Sequence, residues 1–457
     1  MALTVTRPVP GLSLARRLRS SVRGLVLVAG DPPYEAARRI WNGAVATRPA
    51  VVVRPADSRD VVTAVRATRD AGLPLSVRGG GHDWGGRALC EGVVIDLSAM
   101  RGVTVGPRTG IAEMQGGGTA GDLADAVHPH GFAPVTGTIR AVGMAGLSLA
   151  GGYGLLIAQH GLSLDNLLAA QVVLADGTRV ATSPAEEPDL FWALRGGGGN
   201  FGVVTAARYR VHRPESLLAG LILFPVDAAG PVLRGLRDLL AVAPRQLTVM
   251  SGVFAGPDGT PLVFLLPAWV GEAGRGEAWL TRLPGLGAPI NVQVGPLAYP
   301  QLLGMFDASI VDGRHNEMQT RWLPVLDDAS IDLVAAAGAG LTSPYSAVFL
   351  HHFRGAAAKV PAGDTAFALR REHVLVEIAA AWPPGEDDRP HRRWARALST
   401  GLAPQALSGG YPNLLGPEHS QRALLAYGGN LRRLLEVKHR YDPDGVFSAV
   451  PTLTPAH

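Results

Sequence analysis

The sequence contains a single cysteine, Cys90, among its 457 residues. One thiol can form neither an intrachain disulfide nor a thiolate metal cluster. Dense runs of basic residues are lacking too, because the 42 lysines and arginines stand against 38 acidic residues and are scattered along the chain. Neither a nucleic acid nor a membrane surface is therefore expected as a partner, and no metal site is predicted.

Long apolar segments are equally scarce. The run 24–30 follows Arg16 and Arg17, as in some export signals, but Arg19 and Arg23 interrupt the apolar core that such a signal needs. Elsewhere no apolar segment reaches membrane-spanning length without charges, glycine or proline. The sequence predicts a soluble cytoplasmic protein and says nothing about its oligomeric state.

A chain of this length is too long for one ordinary core, so more than one domain is expected. Apolar residues make up 47% and charged residues 18%, as in globular proteins. Residues 1–213 alternate short strands and helices, including a helix at 33–41, with glycine-rich turns. In 214–404 longer strands at 247–254, 262–270, 290–294, 347–353 and 373–382 alternate with helices, which indicates an antiparallel sheet backed by helices. Residues 405–457 contain one long amphipathic helix, 422–441, and the whole is assigned to the α+β class.

Residues 76–86 are the most informative stretch. A short apolar strand runs into Gly79, Gly80 and Gly81, and His82 follows directly. Three consecutive glycines let the backbone approach a ligand closely and aim its N–H groups at a phosphate. Taken alone, the segment fits a flexible turn with a surface histidine equally well.

Other glycine-rich and histidine motifs exclude several functions. The segment 197–202 matches GxGxxG, but a predicted helix precedes it and a strand follows, the reverse of a dinucleotide-binding fold. No P-loop motif is present. His351 and His352 are neighbours on a predicted strand, so they point to opposite faces and cannot share one metal ion.

Eight motifs taken together resemble the berberine-bridge-enzyme-like and 6-hydroxy-D-nicotine-oxidase-like group of FAD-linked oxidases, which have the vanillyl-alcohol oxidase fold. They are RGGGH (78–82), VIDLS (94–98), GGG (116–118), GMAGLSLAGGYG (143–154), GLSLDN (161–166), DLFWALRGGGGNFGVVT (189–205), YPN (411–413) and YDPDGVF (441–447). Their order and spacing cover nearly the whole chain. The resemblance implies that 1–213 and 405–457 together form the FAD-binding domain, whereas 214–404 form the substrate-binding domain.

The resemblance also implies which residues hold FAD. Residues 78–82 would surround the pyrophosphate, and His82 would bond covalently to the flavin 8α-methyl carbon. Many relatives add a second bond through a cysteine, but this chain has Ile139 at that place, so no cysteinyl link is implied and Cys90 is unrelated. The implied cofactor-binding set is Arg78, Gly79, Gly80, Gly81, His82, Asp83, Gly116, Gly137, Thr138, Gly143, Gly146, Gly152, Tyr153, Asn166, Gly202, Val203, Val204 and Asn413.

A flavin oxidase needs a base close to the reacting carbon. Glu377 is an ionisable residue in the otherwise apolar run 373–382, so it either has a structural partner or faces a cavity. In relatives a catalytic glutamate looks similarly placed relative to the tryptophan here numbered Trp382. The predicted base is Glu377, with Tyr411 as the alternative base or orienting group. The structural alternative is an ion pair between Glu377 and an arginine of the 370–371 segment.

The expected reaction removes hydride from a C–H next to an alcohol, hemiacetal or amine and passes the electrons to O2, in bacterial secondary metabolism. The alternative is a flavoprotein that closes a ring in a natural-product intermediate. The expected partners are a small-molecule substrate and O2, and the substrate itself cannot be identified from the strands of the substrate-binding domain.

Overall fold

The computed structural model describes residues 10–448 and residue 453, so the outermost parts of the predicted segments 1–213 and 405–457 lie outside the described residues. A four-stranded sheet comes first along the chain, in the order β1-β2-β4-β3, and β2, β3 and β4 are parallel. Its strands are β1 (Leu25–Leu27), β2 (Val51–Arg54), β3 (Leu75–Arg78) and β4 (Val93–Asp96). The helices of this part are α1 (Pro10–Arg19), α2 (Tyr34–Ala37) and α3 (Ser58–Asp70). Asp57 caps α3, because its side chain accepts from the N–H groups of Arg59 and Asp60.

The second sheet is antiparallel, in the order β5-β6-β10-β8-β9, with the short strand β7 also paired to β10. Its strands are β5 (Val103–Gly106), β6 (Ile111–Gln115), β7 (Ala133–Pro134), β8 (Leu167–Val173), β9 (Arg179–Thr182) and β10 (Val203–His212). The accompanying helices are α4 (Ala120–Val127), α5 (Met144–Ala150), α6 (Ile157–His160) and α7 (Pro188–Leu194). A capping box formed by Thr119 and Asp122 starts α4 directly after the glycines 116–118.

The third sheet has seven strands in the order β14-β11-β13-β12-β16-β17-β15, and every pairing is antiparallel. Its strands are β11 (Leu217–Pro225), β12 (Leu247–Ala255), β13 (Pro261–Val270), β14 (Asn291–Pro296), β15 (His315–Leu323), β16 (Ala347–Phe353) and β17 (His373–Trp382). The helices in this region are α8 (Ala229–Val242), α9 (Ala273–Leu280), α10 (Tyr299–Leu303), α11 (Asp328–Ala339), α12 (Ala356–Lys359) and α13 (Asp388–Gly401). The predicted α+β class, with an antiparallel sheet backed by helices, is confirmed.

The two faces of the third sheet have different neighbours. Val348 and Leu350 of β16, with Val376 and Ile378 of β17, belong to a buried cluster that includes residues of α8, α11 and α13. Since side chains alternate along a strand, the intervening residues of both strands point to the opposite face. That face looks toward the first part of the chain and forms one wall of a cavity.

The C-terminal segment returns to the first two sheets. It contains α14 (Ser420–Leu425) and α15 (Leu431–Tyr441), and Phe447 forms a parallel bridge with Leu75. The buried ammonium group of Lys438 donates to the carbonyl of Asn200 at 2.7 Å and also to Asp442 and the carbonyl of Phe447. This segment is thereby fixed beside the glycine turn 196–199.

Several elements differ from the sequence prediction. The helix predicted at 422–441 is divided, because α14 ends at Leu425 and a 3-10 turn over Gly428–Asn430, with Gly428 at φ +46°, separates it from α15. The helix predicted at 33–41 is limited to Tyr34–Ala37. Strands β11 and β15 were not predicted. In β15 the buried polar residues obscure the alternation of apolar and polar positions; they are Asn316, Glu317, Gln319 and Thr320.

Candidate active site

A cavity of about 740 Å³ lies between the glycine-rich turns and the third sheet. The turns contribute one wall, through residues 79–83, 137–139 and 142–143 among others. Strands β16 and β17 contribute the opposite wall with Phe349, His351 and Glu377. Tyr411 and Asn413 from the C-terminal segment complete the site.

The glycine turn after β3 is built for close backbone approach. A Cβ atom at Gly80 would stand 2.6 Å from the nitrogen of Gly143, and one at Gly143 would stand 2.5 Å from the nitrogen of Gly80. Gly81 has φ +77°, a conformation that other residues rarely adopt. Within the described part of the chain, no group accepts a hydrogen bond from the backbone N–H groups of residues 79–82. A row of free N–H groups lining a cavity fits a pyrophosphate, so the residues present suit the cofactor that the sequence implied.

His82 lies at the end of this turn, buried and neutral. Burial lowers the pKa of its imidazole to about 4. The ring stacks on Trp41, with centroids 4.2 Å apart, and among the residues described no hydrogen bond reaches it. An imidazole that is unprotonated at neutral pH keeps a nucleophilic nitrogen, which a bond to a flavin carbon requires, and His82 lines the cavity.

Most of the other predicted cofactor residues also line the cavity, and four do not. The residues that line it are Gly79, Gly80, Gly81, His82, Asp83, Gly116, Gly137, Thr138, Gly143, Gly146, Tyr153, Gly202, Val204 and Asn413. Arg78 instead donates from its guanidinium to the carbonyl of Ala37, 2.8 Å away, and Val203 is buried in the same hydrophobic cluster as Phe447.

The other two positions outside the lining have structural contacts. Asn166 donates to the carbonyls of His160 and Leu162 and bonds His212 at 2.7 Å, so its amide holds a loop. Gly152 has φ +93°, and a Cβ there would stand 2.3 Å from the Cβ of Ser163. These two residues support the cavity wall without forming it.

Tyr411 is held as a hydrogen-bonding group. Its hydroxyl accepts from the N–H of Gly152 at 3.0 Å and from the amide of Asn413 at 3.4 Å. Burial raises the pKa of Tyr411 to about 12, so its phenolate is scarce at neutral pH. The geometry favours an orienting role for this residue over a role as the base.

Tyr153 is fixed by a second buried histidine. The Nδ1 atom of His373 lies 2.7 Å from the carbonyl of Arg371, so it carries the ring proton, and Nε2 accepts from the Tyr153 hydroxyl at 2.8 Å. Burial lowers the pKa of His373 to about 3, which keeps this ring neutral. Tyr153 therefore presents a rigid ring to the cavity, edge-on to Tyr411 with centroids 5.0 Å apart.

Glu377 faces the cavity and is paired with a histidine. Its Oε2 lies 3.3 Å from Nε2 of His351, which is on the same face of the neighbouring strand. The predicted alternative, an ion pair with Arg370 or Arg371, is wrong. Arg370 binds Asp165 at 2.8 Å, and within the described residues no arginine forms an ion pair with Glu377. The carboxylate is thus available to a ligand and is held by a neighbour that can share its proton.

His352 points to the other face, as the alternation predicted. Its Nε2 lies 3.4 Å from the hydroxyl of Ser251, and burial lowers its pKa to about 3. No group of three or more metal-binding side chains that could hold an ion occurs among the described residues.

Sequence reasoning missed several residues of the cavity wall. Trp41 is far from His82 in sequence, so no local pattern indicates that the two rings stack. Arg87 donates to the carbonyls of Pro412 and Asn413, at 3.0 and 2.8 Å, and anchors the C-terminal segment. Its position five residues after His82 in an otherwise glycine-rich stretch was the available signal. Arg314, Tyr345 and Phe349 also line the cavity and were not singled out.

Comparison with known protein families gives two matches. Residues 49–183 match a family described as an FAD binding domain, and residues 410–450 match one described as berberine and berberine like. The two matched segments include the glycine turn with His82 and the segment with Tyr411 and Asn413. No helix among the described residues is long and apolar enough to cross a membrane.

Individual relatives agree with these matches. The chain is 34% identical to (R)-6-hydroxynicotine oxidase of Paenarthrobacter nicotinovorans over 62% of its own length and 63% of that protein. It is 29% identical to an FAD-linked oxidoreductase of Gibberella zeae, over 98% of this chain and 89% of the other. The crystal structure of 6-hydroxy-D-nicotine oxidase from Arthrobacter nicotinovorans superposes with a TM-score of 0.86 at 29% identity and covers 95% of this chain and 99% of that one.

A more distant neighbour shows the fold alone. Glucooligosaccharide oxidase from Acremonium strictum superposes with a TM-score of 0.84 at 24% identity, over 97% of this chain and 99% of that chain. Its FAD is described as 6-S-cysteinyl and 8α-N1-histidyl.

Proposed function

We propose that this chain, which matches an FAD binding domain over 49–183 and a berberine-like family over 410–450, oxidises a small molecule at a C–H next to an alcohol, hemiacetal or amine. O2 is the proposed final acceptor and bacterial secondary metabolism the proposed setting. When bound, FAD supplies a two-electron acceptor that dioxygen can regenerate. The observation that carries the proposal is the Glu377–His351 pair, which faces the glycine turn across the cavity.

In this proposal different residues bind the cofactor, position the substrate and accept the proton. The free N–H groups of residues 79–82 hold the cofactor phosphates, and Tyr153, Tyr411 and Asn413 position the substrate and the flavin ring. Glu377 accepts the proton of the substrate hydroxyl or amine as the C–H electron pair leaves, so an alcohol becomes a carbonyl compound. His351 can hydrogen-bond the carboxyl group formed, which stabilises it until the proton reaches solvent.

We also propose that FAD is attached through His82 alone. The buried neutral ring of His82 supports this, as does Ile139, which lines the cavity at the place where the resemblance put a second attachment in relatives. The thiol of Cys90 lies near the carbonyls of Pro74 and Val93, at 3.5 and 3.3 Å, and Cys90 is not part of the cavity lining.

The substitution Glu377→Gln tests the role of this carboxylate. It preserves shape and removes the basic group, so the rate of anaerobic flavin reduction should fall by roughly two to four orders of magnitude. Stopped-flow absorbance with a panel of alcohols, amines and sugars measures this rate, and flavin content should not change. Glu372→Gln is the matched control, because Glu372 is exposed one residue before β17.

Two results would contradict the proposal. Normal flavin reduction in Glu377→Gln would remove Glu377 from the mechanism and direct attention to Tyr411→Phe. Conversion of a substrate by the wild-type protein without any bleaching of the flavin under anaerobic conditions would support ring closure over oxidation.

A further inference from the structure

The cavity continues well beyond Glu377 along the third sheet. Glu377, Ala379 and Ala381 lie on one face of β17, and all three line the cavity. At about 3.3 Å per residue, Ala381 is about 13 Å from Glu377 along the strand. Ala347 of β16 lies opposite Ala379 and also lines the cavity, so small side chains leave an open channel.

The far end of this channel carries a cation. The guanidinium of Arg314 stacks on the ring of Tyr345, with Cζ 3.7 Å from the ring centroid, and both residues line the cavity. One amino group of Arg314 donates to the carbonyl of Ser309 at 2.9 Å. Among the described residues no carboxylate lies within ion-pair distance of Arg314. The guanidinium of Arg314 therefore has N–H groups along its edge that remain free to bind an anionic ligand.

The other arginine of the cavity differs in this respect. Arg87 already donates to two backbone carbonyls and has Asp83 at 3.5 Å, so its hydrogen bonds are used within the protein. Arg314 is half-buried and Tyr345 is 40% exposed, which places this pair at the open end of the channel.

Apolar side chains dominate the channel between its two polar ends, whereas the polar Asn316 and Ser346 of the lining already bond the backbone of Arg314 and Ala381. Phe254, Phe306, Ile310, Met318 and Phe349 all contribute to the wall. Such a wall offers few partners for hydroxyl groups, so a sugar chain would leave polar groups unpaired at a cost, whereas aromatic or alicyclic rings would pack against it.

We propose that the substrate is an elongated, ring-bearing apolar molecule with a carboxylate, oxidised at its end near Glu377 and bound through its carboxylate by Arg314. The proposal rests on the proposed oxidase function and names the substrate class of the same site. The distance between the two ends selects against short acids, because they cannot reach Arg314 while their reacting carbon lies near Glu377.

The test uses the flavin-loaded protein and two series of synthetic probes. The first consists of 4-methylphenoxyalkanoic acids of increasing chain length with the methyl ester of each; these carry no alcohol or amine to oxidise, and calorimetry gives their dissociation constants. The longer acids should bind roughly tenfold more tightly than their esters, the size of one partly exposed charge-assisted interaction. Arg314→Gln should remove this preference without changing ester affinity, and Arg314→Lys should retain part of it.

Arg393→Gln, at an exposed position on α13, is the control and should leave the preference unchanged. Equal affinity for acid and ester at every length, a preference that survives Arg314→Gln, or no binding by any probe would each overturn the proposal. The second series, the corresponding 4-(hydroxymethyl)phenoxy acids, is scored by anaerobic flavin reduction. Tight, Arg314-dependent binding without flavin reduction would support the binding site and count against the oxidase function.

Discussion

Buried neutral histidines outside the cofactor turn make the stability of this fold depend on pH, and His352 and His373 are the two most deeply buried of them. Burial lowers the pKa of His352 and of His373 from 6.5 to about 3. In the unfolded chain both rings titrate near 6.5, so below that pH the unfolded state binds protons that the folded state does not. The free energy of unfolding should therefore have its full value above about pH 6.5 and fall as the pH is lowered toward 3.

The size of the effect follows from the number of protons. Each proton taken up on unfolding contributes about 1.4 kcal/mol per pH unit, so His352 and His373 together give about 3 kcal/mol per pH unit near pH 5. His160 and His212, whose pKa values burial lowers to about 3 and about 4, add to the same slope, so this figure is a lower limit. The free energy of unfolding of a typical domain is about 5–15 kcal/mol. Lowering the pH by one or two units therefore removes a large part of it. The carboxyl groups of the unfolded chain titrate at about pH 4, so between pH 5 and pH 7 they add little to the slope.

Urea unfolding followed by tryptophan fluorescence, between about pH 7 and pH 5, measures the slope. His352→Gln retains a side chain that can bond Ser251 and should reduce the slope by about one proton. His130→Gln, at an exposed position, is the control and should leave it unchanged. A free energy of unfolding that stays constant across this range would refute the reasoning, as would an unaltered slope in His352→Gln.

Two further predictions concern the cofactor and the C-terminal segment. Acid-precipitated protein should stay yellow, with the flavin mass on the peptide that contains His82; flavin released by acid, or found on Cys90, would contradict the single histidyl link. Lys438→Met should lower the free energy of unfolding by about 3–5 kcal/mol, because it leaves the buried charge of Asp442 without its partner. Arg432→Met is its control, since the Arg432 side chain is 91% exposed, and a Lys438→Met loss as small as that of the control would contradict this account.

Features set by local sequence were predicted best. The glycine turn before His82 is visible in the sequence as consecutive glycines, and Glu377 is visible as an ionisable residue in an apolar run that needs either a partner or a cavity. The partner of Glu377 was not predicted, because the sequence suggested an arginine of the 370–371 segment and does not show which strand lies next to β17. The register between β16 and β17 places His351, and not an arginine, beside Glu377.

Contacts between segments that are far apart in the sequence could not be predicted. Trp41 meets His82, and Arg314 meets Tyr345, across 41 and 31 residues of sequence, and other contacts form only where the sheets pack together. Asn42 shows how specific that packing is, since its side chain exchanges two hydrogen bonds with the backbone of Asn316, each 2.9 Å long. No local propensity encodes such a pair, and without homologous sequences nothing in one chain links the two positions.

The bridge between Leu75 and Phe447 also bears on the order of events during synthesis. The chain leaves the ribosome from its N-terminus, so the glycine turn after β3 is exposed long before residues 411–447 exist. Until those residues arrive, the turn lacks the wall that Tyr411 and Asn413 provide. Pairings between positions so far apart also slow folding, because a very large loop must close before the contact forms. The cavity is consequently one of the last parts of the molecule to be completed, and the cofactor meets a finished site only after nearly the whole chain has been made.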